Sequence, residues 1–439
     1  MIKGFYRIST VTLAALYLLL AVLDLGSLAA EEYSFDLEEF EAKAFEWGGY
    51  AEIKFEHINL NSESAFYGLN FYNDPRSTID RYTGTLQLDV GYKKGIGAFN
   101  GLLHAEARHD DLGGSDAIDI YEANLSLKPL PFFTADLGKK RFKWGTGYAW
   151  NPVGFIDRPK DPNNPEEALE GFIAAGVDLI KSFNRPLQAM ALTTVAIPVY
   201  EHVNEDFGES GYMNVAAKLY MLYRDTDIDL VLFTGNSRSL RYGIDFSRNL
   251  TTNFEIHGEY AYLTDLKQNY LGPSGVLAGR ERSVSRYLFG LRYLTENDIT
   301  TIIEYYHNGA GFSSEELTAF YQLVEDADSH LADTGSDLII QNAKTVSSMG
   351  YNSPNLGRNY LYLKINQKDP FNILYLTPGL IAIVNLDDRS YSISPEIQYT
   401  GFTNWELRLR YTFLNGGTFT EFAEKQNKNK LELRVRYHF

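Results

Sequence analysis

Residues 429–439, at the end of the chain, read NKLELRVRYHF. Apolar and charged side chains alternate strictly along this stretch, with one face formed by Leu431, Leu433, Val435, Tyr437 and Phe439. A period of two residues is the signature of a β-strand that has one apolar and one polar face. The segment 405–413 repeats the pattern immediately upstream. These two stretches therefore predict neighbouring strands in a sheet.

Similar segments recur along most of the chain. We count eighteen candidate strands, beginning near residues 47, 82, 98, 118, 132, 171, 186, 211, 226, 239, 252, 283, 298, 358, 371, 389, 402 and 429. The strand near Phe371 is the weakest, because it contains Pro378 and proline removes a donor from the ladder. If one weak hairpin is discounted, the count becomes sixteen.

The connections between these strands alternate in length. Every second gap is tight, as at 94–97, 129–131, 184–185, 225, 249–251, 296–297, 368–370 and 400–401. Most of the others are long, as at 57–81, 143–170, 198–210, 263–282, 308–357 and 415–428, while 235–238 and 387–388 are short exceptions. Outer-membrane barrels have short periplasmic turns and long outer loops. The predicted fold is therefore all-β, a transmembrane antiparallel up-and-down β-barrel.

Composition agrees with a barrel and excludes several other classes. The 439 residues include 31 Tyr and 27 Phe but no Cys, and the formal net charge is −17. The lack of cysteine excludes disulfides and thiolate sites, and the acidic balance argues against nucleic acid as a partner. The polar rows of the strands carry many charges, which a dry core would bury at a high desolvation cost. We therefore expect a wet lumen, which a barrel of sixteen to eighteen strands is wide enough to enclose.

The N-terminal residues are typical of a targeting segment. Lys3 and Arg7 precede the apolar run 11–23, and small residues follow at 27–30. This pattern predicts a cleaved signal peptide at residues 1–30, with an uncleaved membrane anchor as the alternative. Residues 31–46 would then form a short acidic periplasmic segment, and residues 47–439 the barrel.

The C-terminal strand resembles that of the bacterial outer-membrane porin superfamily. The resemblance rests on Phe439, Tyr437 and the apolar ladder before them. It implies that Tyr437 and Phe439 form a signal for the barrel-assembly machinery, and that the protein lies in the outer membrane of a Gram-negative bacterium, in contact with its lipid. The stretch 141–152, RFKWGTGYAWNP, is similar to segments of poorly characterised porin-like families.

The third outer connection, 143–170, is the most distinctive. Its prolines stiffen it and prevent strand pairing, and Asn164-Pro165-Glu166-Glu167 predicts the start of a helix. We expect this loop to fold inward and constrict the pore; the alternative is a rigid loop on the rim. The candidate constriction residues are Trp144, Trp150, Asn151, Asp157, Arg158, Lys160 and Asp161.

Two charged walls are predicted to face the lumen. The basic wall comprises Arg408, Arg410, Arg434 and Arg436, and the acidic wall comprises Asp227, Asp229, Asp245, Glu255 and Glu259. Opposed walls would create a transverse field that orients dipolar solutes. The alternative is a set of local cross-strand ion pairs that stiffen the sheet.

The connection 308–357 is predicted to contain a helix. Ser313 and Glu316 have the spacing of a capping box. Acidic residues crowd the later part of this connection, and we interpret them as a solvated lid, with a calcium site as the alternative.

No catalytic motif stands out. The histidines are scattered and no Gly-x-Ser-x-Gly occurs, so we expect no enzyme, no cofactor and no metal. The predicted function is passive diffusion of small hydrophilic solutes or ions, and a homo-oligomer is compatible with it. The alternatives are a sheath or scaffold for a secreted or redox partner, and a plugged importer of a specific small ligand.

Overall fold

The computed structural model of the protein describes residues 44–184, 186–272 and 275–439. These residues form eighteen strands, which confirms the predicted count. The strands are β1 Phe45–Leu60, β2 Thr78–Lys94, β3 Gly97–Asp110, β4 Gly113–Leu130, β5 Phe133–Lys140, β6 Phe172–Ser182, β7 Leu187–Val199, β8 Tyr212–Tyr223, β9 Thr226–Thr234, β10 Arg241–Thr251, β11 Phe254–Leu271, β12 Leu277–Leu294, β13 Ile299–Asn308, β14 Asn359–Gln367, β15 Leu376–Asn385, β16 Tyr391–Tyr399, β17 Trp405–Asn415 and β18 Asn427–His438.

The sheet closes on itself. Each strand pairs antiparallel with the next along the chain, and β18 pairs with β1 from Tyr50–His438 to Leu60–Asn427. Beyond the last ladder residue, Gly49 and Phe439 exchange two main-chain hydrogen bonds of 3.1 Å. The ring of Phe439 lies 5.8 Å from that of Trp47. The last residue of the chain therefore helps to join the two edge strands.

Burial in the barrel is the reverse of that in a water-soluble protein. Side chains such as Trp47 (63% exposed) and Leu433 (45%) lie on the outer face, whereas Glu432 (1%) and Arg434 (2%) are buried inside. The apolar rows therefore face outward and the charged rows face inward, as the alternation predicts. None of the helices in the described part of the chain has the length and hydropathy that a membrane span requires.

One end of the barrel, called here the turn end, has only short connections. All the long connections lie at the other end, the loop end, together with short ones at 111–112 and 386–390. Three helices cover the loop end: α1 Ala65–Phe71, α2 Ser314–Thr334 and α3 Leu338–Val346. The predicted capping box at the start of α2 is confirmed, because Ser313 and Glu316 bond reciprocally to each other's main chain. The three helices and the connection 416–426 share an apolar cluster around Phe320 and Tyr351.

The expected loop 263–282 differs from the structure. Strands β11 and β12 continue through most of it as a long hairpin, with a register shift between Leu263 and Leu266. Tyr270 and Leu271 at the end of this hairpin pack on the apolar cluster under α2. This packing supports strand pairing in a region where apolar and polar residues no longer alternate. The weakest predicted strand forms later than expected, as β15, and Pro378 lies within it opposite Ile397.

Several predictions fall on residues outside the described part of the chain. These are the signal peptide at 1–30, most of the acidic segment 31–46, residue 185 in a predicted turn and residues 273–274 in a predicted loop. The barrel begins at Phe45, two residues before the predicted boundary.

Candidate functional site

The connection between β5 and β6, residues 141–171, lies inside the barrel and is called here the inward loop. Its side chains Trp144, Val153, Phe155 and Ile156 are buried against the inner faces of β6 to β12. Trp150 reaches farther and stacks on Tyr306 of β13 with a centroid distance of 5.0 Å. In a ring of eighteen strands, β13 lies eight strands from β5 and therefore almost directly across the barrel. The inward loop therefore crosses the lumen.

Two buried carboxylates hold the main chain of this loop. Glu259 of β11 accepts hydrogen bonds from the amides of Gly147 (2.6 Å) and Val153 (3.0 Å). Glu304 of β13 accepts from the amides of Tyr148 and Ala149, the latter at 2.8 Å. A loop inside a barrel has no strand partner for its amides, which must find other acceptors. Ionised carboxylates make stronger hydrogen bonds to such donors than neutral groups do.

The glycines of the inward loop make this approach sterically feasible. A Cβ on Gly147 would lie 2.1 Å from the main-chain oxygen of Trp150, and one on Gly145 would lie 2.6 Å from Glu259 Oε1. Gly145 also has a φ of +98°, which a side chain rarely allows. The sequence WGTGYAW thus combines aromatic anchors with a backbone that can lie against Glu259.

Most charged residues of the inward loop bind the loop itself. Asp157 accepts from the amide of Trp144 at 2.8 Å and from the Asn151 side chain at 3.4 Å. Lys160 donates to the main-chain oxygens of Gly147 (2.6 Å) and Tyr148 (3.3 Å). Burial raises the pKa of Asp157 to about 6 and lowers the pKa of Lys160. These two groups were predicted to face solutes; they take part in the internal bonding of the loop and also line an internal cavity.

The other two charged candidates, Arg158 and Asp161, lie in the same part of the loop. Arg158 pairs with Glu170 at 2.8 Å and with Asp206, and its guanidinium lies 4.7 Å from the ring of Phe172. Asp161 accepts from the amide of Asn163 at 2.9 Å. The predicted helix at Asn164 is wrong: residues 161–167 form turns. The side chain of Asn164 instead accepts from Arg410 at 2.9 Å.

The four predicted arginines lie on the inner face of β17 and β18, where each has a carboxylate partner. Arg410 binds Glu396 through two nitrogens, at 2.9 and 2.7 Å. Arg434 binds Glu167 of the inward loop at 2.8 Å, and Arg436 binds Glu52 at 2.7 Å. The contact between Arg408 and Glu406 is longer, at 3.7 Å. These contacts are local ion pairs, which the sequence left open as the alternative to a free basic wall.

The predicted acidic residues lie together on the inner faces of β9 to β11. Asp245 stands opposite Asp229 on one side and Glu259 on the other. Asp229 pairs with Lys218 at 3.2 Å, Asp227 accepts from Tyr220 at 2.6 Å, and Glu255 lies 3.7 Å from His257. Glu259 is the member that holds the inward loop. Among the described residues, no group of three or more His, Asp or Glu is arranged to hold a metal ion.

No protein-family model and no curated protein matches the chain. Solved structures do match. OccAB1 of Acinetobacter baumannii is similar, with a TM-score of 0.53 at 9% identity over 92% of this chain and 99% of that one. OccK2 (OpdF) of Pseudomonas aeruginosa, solved in complex with glucuronate, gives 0.50 at 11% identity over 90% and 98%. The chain has the porin fold.

In this porin-fold barrel the inward loop leaves separate cavities. One of about 580 Å³ lies between both ends of the loop and the wall at Glu255, His257 and Arg292. Another of about 240 Å³ lies between residues 163–168 and a wall that includes Lys364 and Arg408. A third of about 190 Å³ lies on the opposite side of residues 164–168, against β1, β3 and β4. The loop therefore divides the interior into narrow, charged spaces.

Sequence reasoning missed Glu304 as an anchor of the inward loop in this porin-fold barrel. Glu304 is fully buried and lies on the inner face of β13 between Ile302 and Tyr306. A lone acid between apolar inward positions was the available signal. This signal could not be interpreted without knowing that amides of the inward loop lie against Glu304.

Proposed function

We propose that the protein is an outer-membrane channel for the passive diffusion of small hydrophilic solutes or ions. The observation that carries the proposal is the inward loop, held across a closed barrel by Glu259 and Glu304. A loop of this kind narrows a wide barrel, and the lining of the spaces beside it includes charged groups. Charged groups at a constriction select solutes by size and charge.

The same loop bears on the two other functions considered. A sheath would need an interior wide enough for a partner protein, whereas the inward loop crosses this lumen and is held on the far wall by Glu259 and Glu304. A plugged importer of an apolar ligand would need an apolar path, whereas the lining of these cavities includes charged side chains such as Lys160, Glu167 and Arg408. A plugged importer of a specific polar ligand stays the second candidate. OccK2 was solved with a sugar acid, and a small polar solute is the class that would suit the spaces in this barrel.

The partners that follow are the outer-membrane lipid around the apolar outer face and the barrel-assembly machinery. Tyr437 and Phe439 would present the assembly signal, and Tyr437 packs on Trp405 at 5.0 Å at the turn end. The channel would work without a cofactor or catalysis, and a homo-oligomer of such barrels is compatible with the fold.

Single-channel recording in a planar bilayer tests this proposal. The mature chain, folded in detergent, is expected to give steady, discrete conductance steps and a defined reversal potential in a salt gradient. A variant lacking residues 153–166 provides the comparison, because it removes the middle of the inward loop and should conduct more. Silence from a barrel whose folding is proven by heat-modifiable gel migration would contradict the proposal.

A further inference from the structure

The inward loop does not cover the wall of the barrel evenly. Inward residues under it are buried, including Asp245 (2% exposed), Glu304 (0%) and Tyr362 (0%) on β10, β13 and β14. On β4, Asp119 stands directly opposite His104 of β3 and so shares its inner face, yet it is exposed. An exposed aspartate on that inner face means that the water-filled part of the lumen runs along β3 and β4.

A cavity joins this open wall to the inward loop. Its volume is about 190 Å³, and Tyr50, His104, Glu106 and Tyr121 line it from the wall, while residues 160, 161, 164, 165 and 167–169 line it from the loop. A solute that passes between the loop and β3–β4 would therefore contact these four side chains. The volume admits a small organic ion, since one water needs only about 10–15 Å³ of such space.

The charges on this wall differ from those on the arginine side. Glu106 and Asp119 have no hydrogen-bond or ion-pair partner in the residues that the structure describes, whereas each arginine of β17 and β18 has one. Lys160 lines the cavity from the loop side, where its amine donates to two main-chain oxygens, and the carboxylates of Asp161 and Glu167 line the cavity from the same side. Arg108 lies on the same face, nearer the loop end. At the level of the cavity, the wall charges available to a solute are thus acidic.

An aromatic surface lies beside the two acids. The rings of His104 and Tyr121 stack with a centroid distance of 4.4 Å and an interplanar angle of 14°. Tyr121 is the extra residue of a β-bulge, because Leu102 pairs with Glu122 and Leu103 with Ile120. A bulge re-aims a side chain, and a hydrogen bond of 2.8 Å from the Gly171 amide to the main-chain oxygen of Tyr121 ties this position to the inward loop.

We propose that this part of the lumen is a subsite for small organic cations, with Glu106 and Asp119 supplying the charge and Tyr121 an aromatic face. It rests on the proposed function and specifies which solutes the channel favours. A substituted ammonium suits both features, since carboxylates attract its charge and an aromatic face binds it through the ring quadrupole. The barrel already contains one such contact, with the Arg436 guanidinium 4.0 Å from the ring of Tyr50.

The first test measures ion preference in bilayers under a KCl gradient. The wild type is expected to prefer cations, and Glu106→Gln with Asp119→Asn should lower the cation-to-anion permeability ratio by about fivefold, the factor given by about 1 kcal/mol for a unit charge at 4 Å in water. Asp116→Asn is the matched control, because Asp116 lies on β4 but on its outer face. The control should keep the wild-type ratio.

The second test adds tetramethylammonium chloride and measures the block of the K⁺ current. Tyr121→Phe keeps the aromatic face and should leave the blocking concentration unchanged, while Tyr121→Leu should raise it about three- to fivefold, as expected for an exposed cation–π contact. If Tyr121→Leu does not assemble, the variant with Glu106→Gln and Asp119→Asn gives the same measurement on the carboxylates.

The outcomes separate the two proposals. Silence from a correctly folded wild-type barrel would contradict the channel function itself. A conducting wild type that prefers anions, or whose ion preference and tetramethylammonium block are the same in the variant lacking the two acids, would overturn the cation subsite and leave the channel intact.

Discussion

Glu259 of β11 receives the main-chain amides of Gly147 and Val153, at 2.6 and 3.0 Å, from a loop that leaves the barrel wall at β5. The contact joins elements six strands apart in the ring, so it fixes the inward loop across the lumen. Glu304 repeats the arrangement two strands farther on. The acidic residues of the inner wall therefore position the loop in addition to charging the lumen.

Removing the charge of both anchors should loosen the loop. In Glu259→Gln with Glu304→Gln, the loop amides lose charge-assisted bonds, each worth about 1.5–3 kcal/mol. We expect larger and noisier single-channel currents. Asp227→Asn serves as the control, because Asp227 is in the same wall but bonds Tyr220. If the double variant gave quiet currents of wild-type size, contacts other than these two carboxylates would be sufficient to hold the loop.

Replacing Gly147 should have a similar effect for a steric reason. The Cβ of Gly147→Ala would meet the main-chain oxygen of Trp150 at 2.1 Å, so the loop must shift. We expect a lower temperature for the heat-modifiable transition and an altered conductance. Gly84→Ala is the matched control, since no atom lies within 4 Å of the Cβ it would add. If the two variants had the same transition temperature and conductance, the loop would not pack against itself at Gly147 as described.

Trp150 should contribute strongly to the position of the loop. It stacks on Tyr306 and also packs on Tyr360 and Tyr362, with centroid distances of 5.0–5.9 Å. Trp150→Ala removes a buried aromatic side chain, which typically costs about 3–5 kcal/mol. Loss of unfolding free energy and a raised conductance are expected together. Trp150→Phe keeps a stacking ring, so its unfolding free energy and its conductance should lie between those of Trp150→Ala and the wild type.

The arginines of β17 should influence ion preference. Arg408→Ala with Arg410→Ala removes two positive charges and releases Glu396 from its bidentate pair, so the reversal potential should shift toward cations. Arg224→Ala with Arg389→Ala removes the same charge from connections outside the strands and provides the comparison. An unchanged reversal potential in the first variant would count against any selectivity from this wall.

The inward loop should also respond to pH. Burial raises the pKa of Asp157 from 3.8 to about 6, so the folded state binds a proton more tightly than the unfolded state. The contribution of Asp157 to stability is thus largest below about pH 4 and decreases as the pH rises to about 6. We expect Asp157→Asn to flatten this part of the curve of thermal stability against pH. A curve that keeps its slope in the variant would assign the effect to another group.

Much of the fold follows from local patterns. The strands of the C-terminal half show why, since Leu431 to Phe439 alternate with charged residues and a one-residue slip would invert both faces. The capping box at Ser313 is equally local and was predicted correctly. The long hairpin of β11 and β12 was missed, because the strands of its outer part consist largely of polar residues and are supported by packing on the apolar cluster under α2.

The site was less predictable than the fold. The residue types of the inward loop indicated a constriction, and the structure places that loop inside the barrel. Asp157 and Lys160 were expected to meet solutes, yet they bond the loop main chain. Glu304 was overlooked, and the stacked pair of His104 and Tyr121 depends on a bulge that leaves no mark in the alternation.

The sequence by itself indicated the closed barrel, a count of eighteen or sixteen strands and which rows face inward, because these depend on a period of two residues and on the lengths of successive connections. Only the tertiary structure decided what the inward charges do. Glu259 and Glu304 bind amides of a loop more than a hundred residues earlier in the chain, while Asp119 is exposed and Glu106 lines a cavity. The difference lies in which side of the lumen the loop packs on, and that side is set by contacts between distant segments.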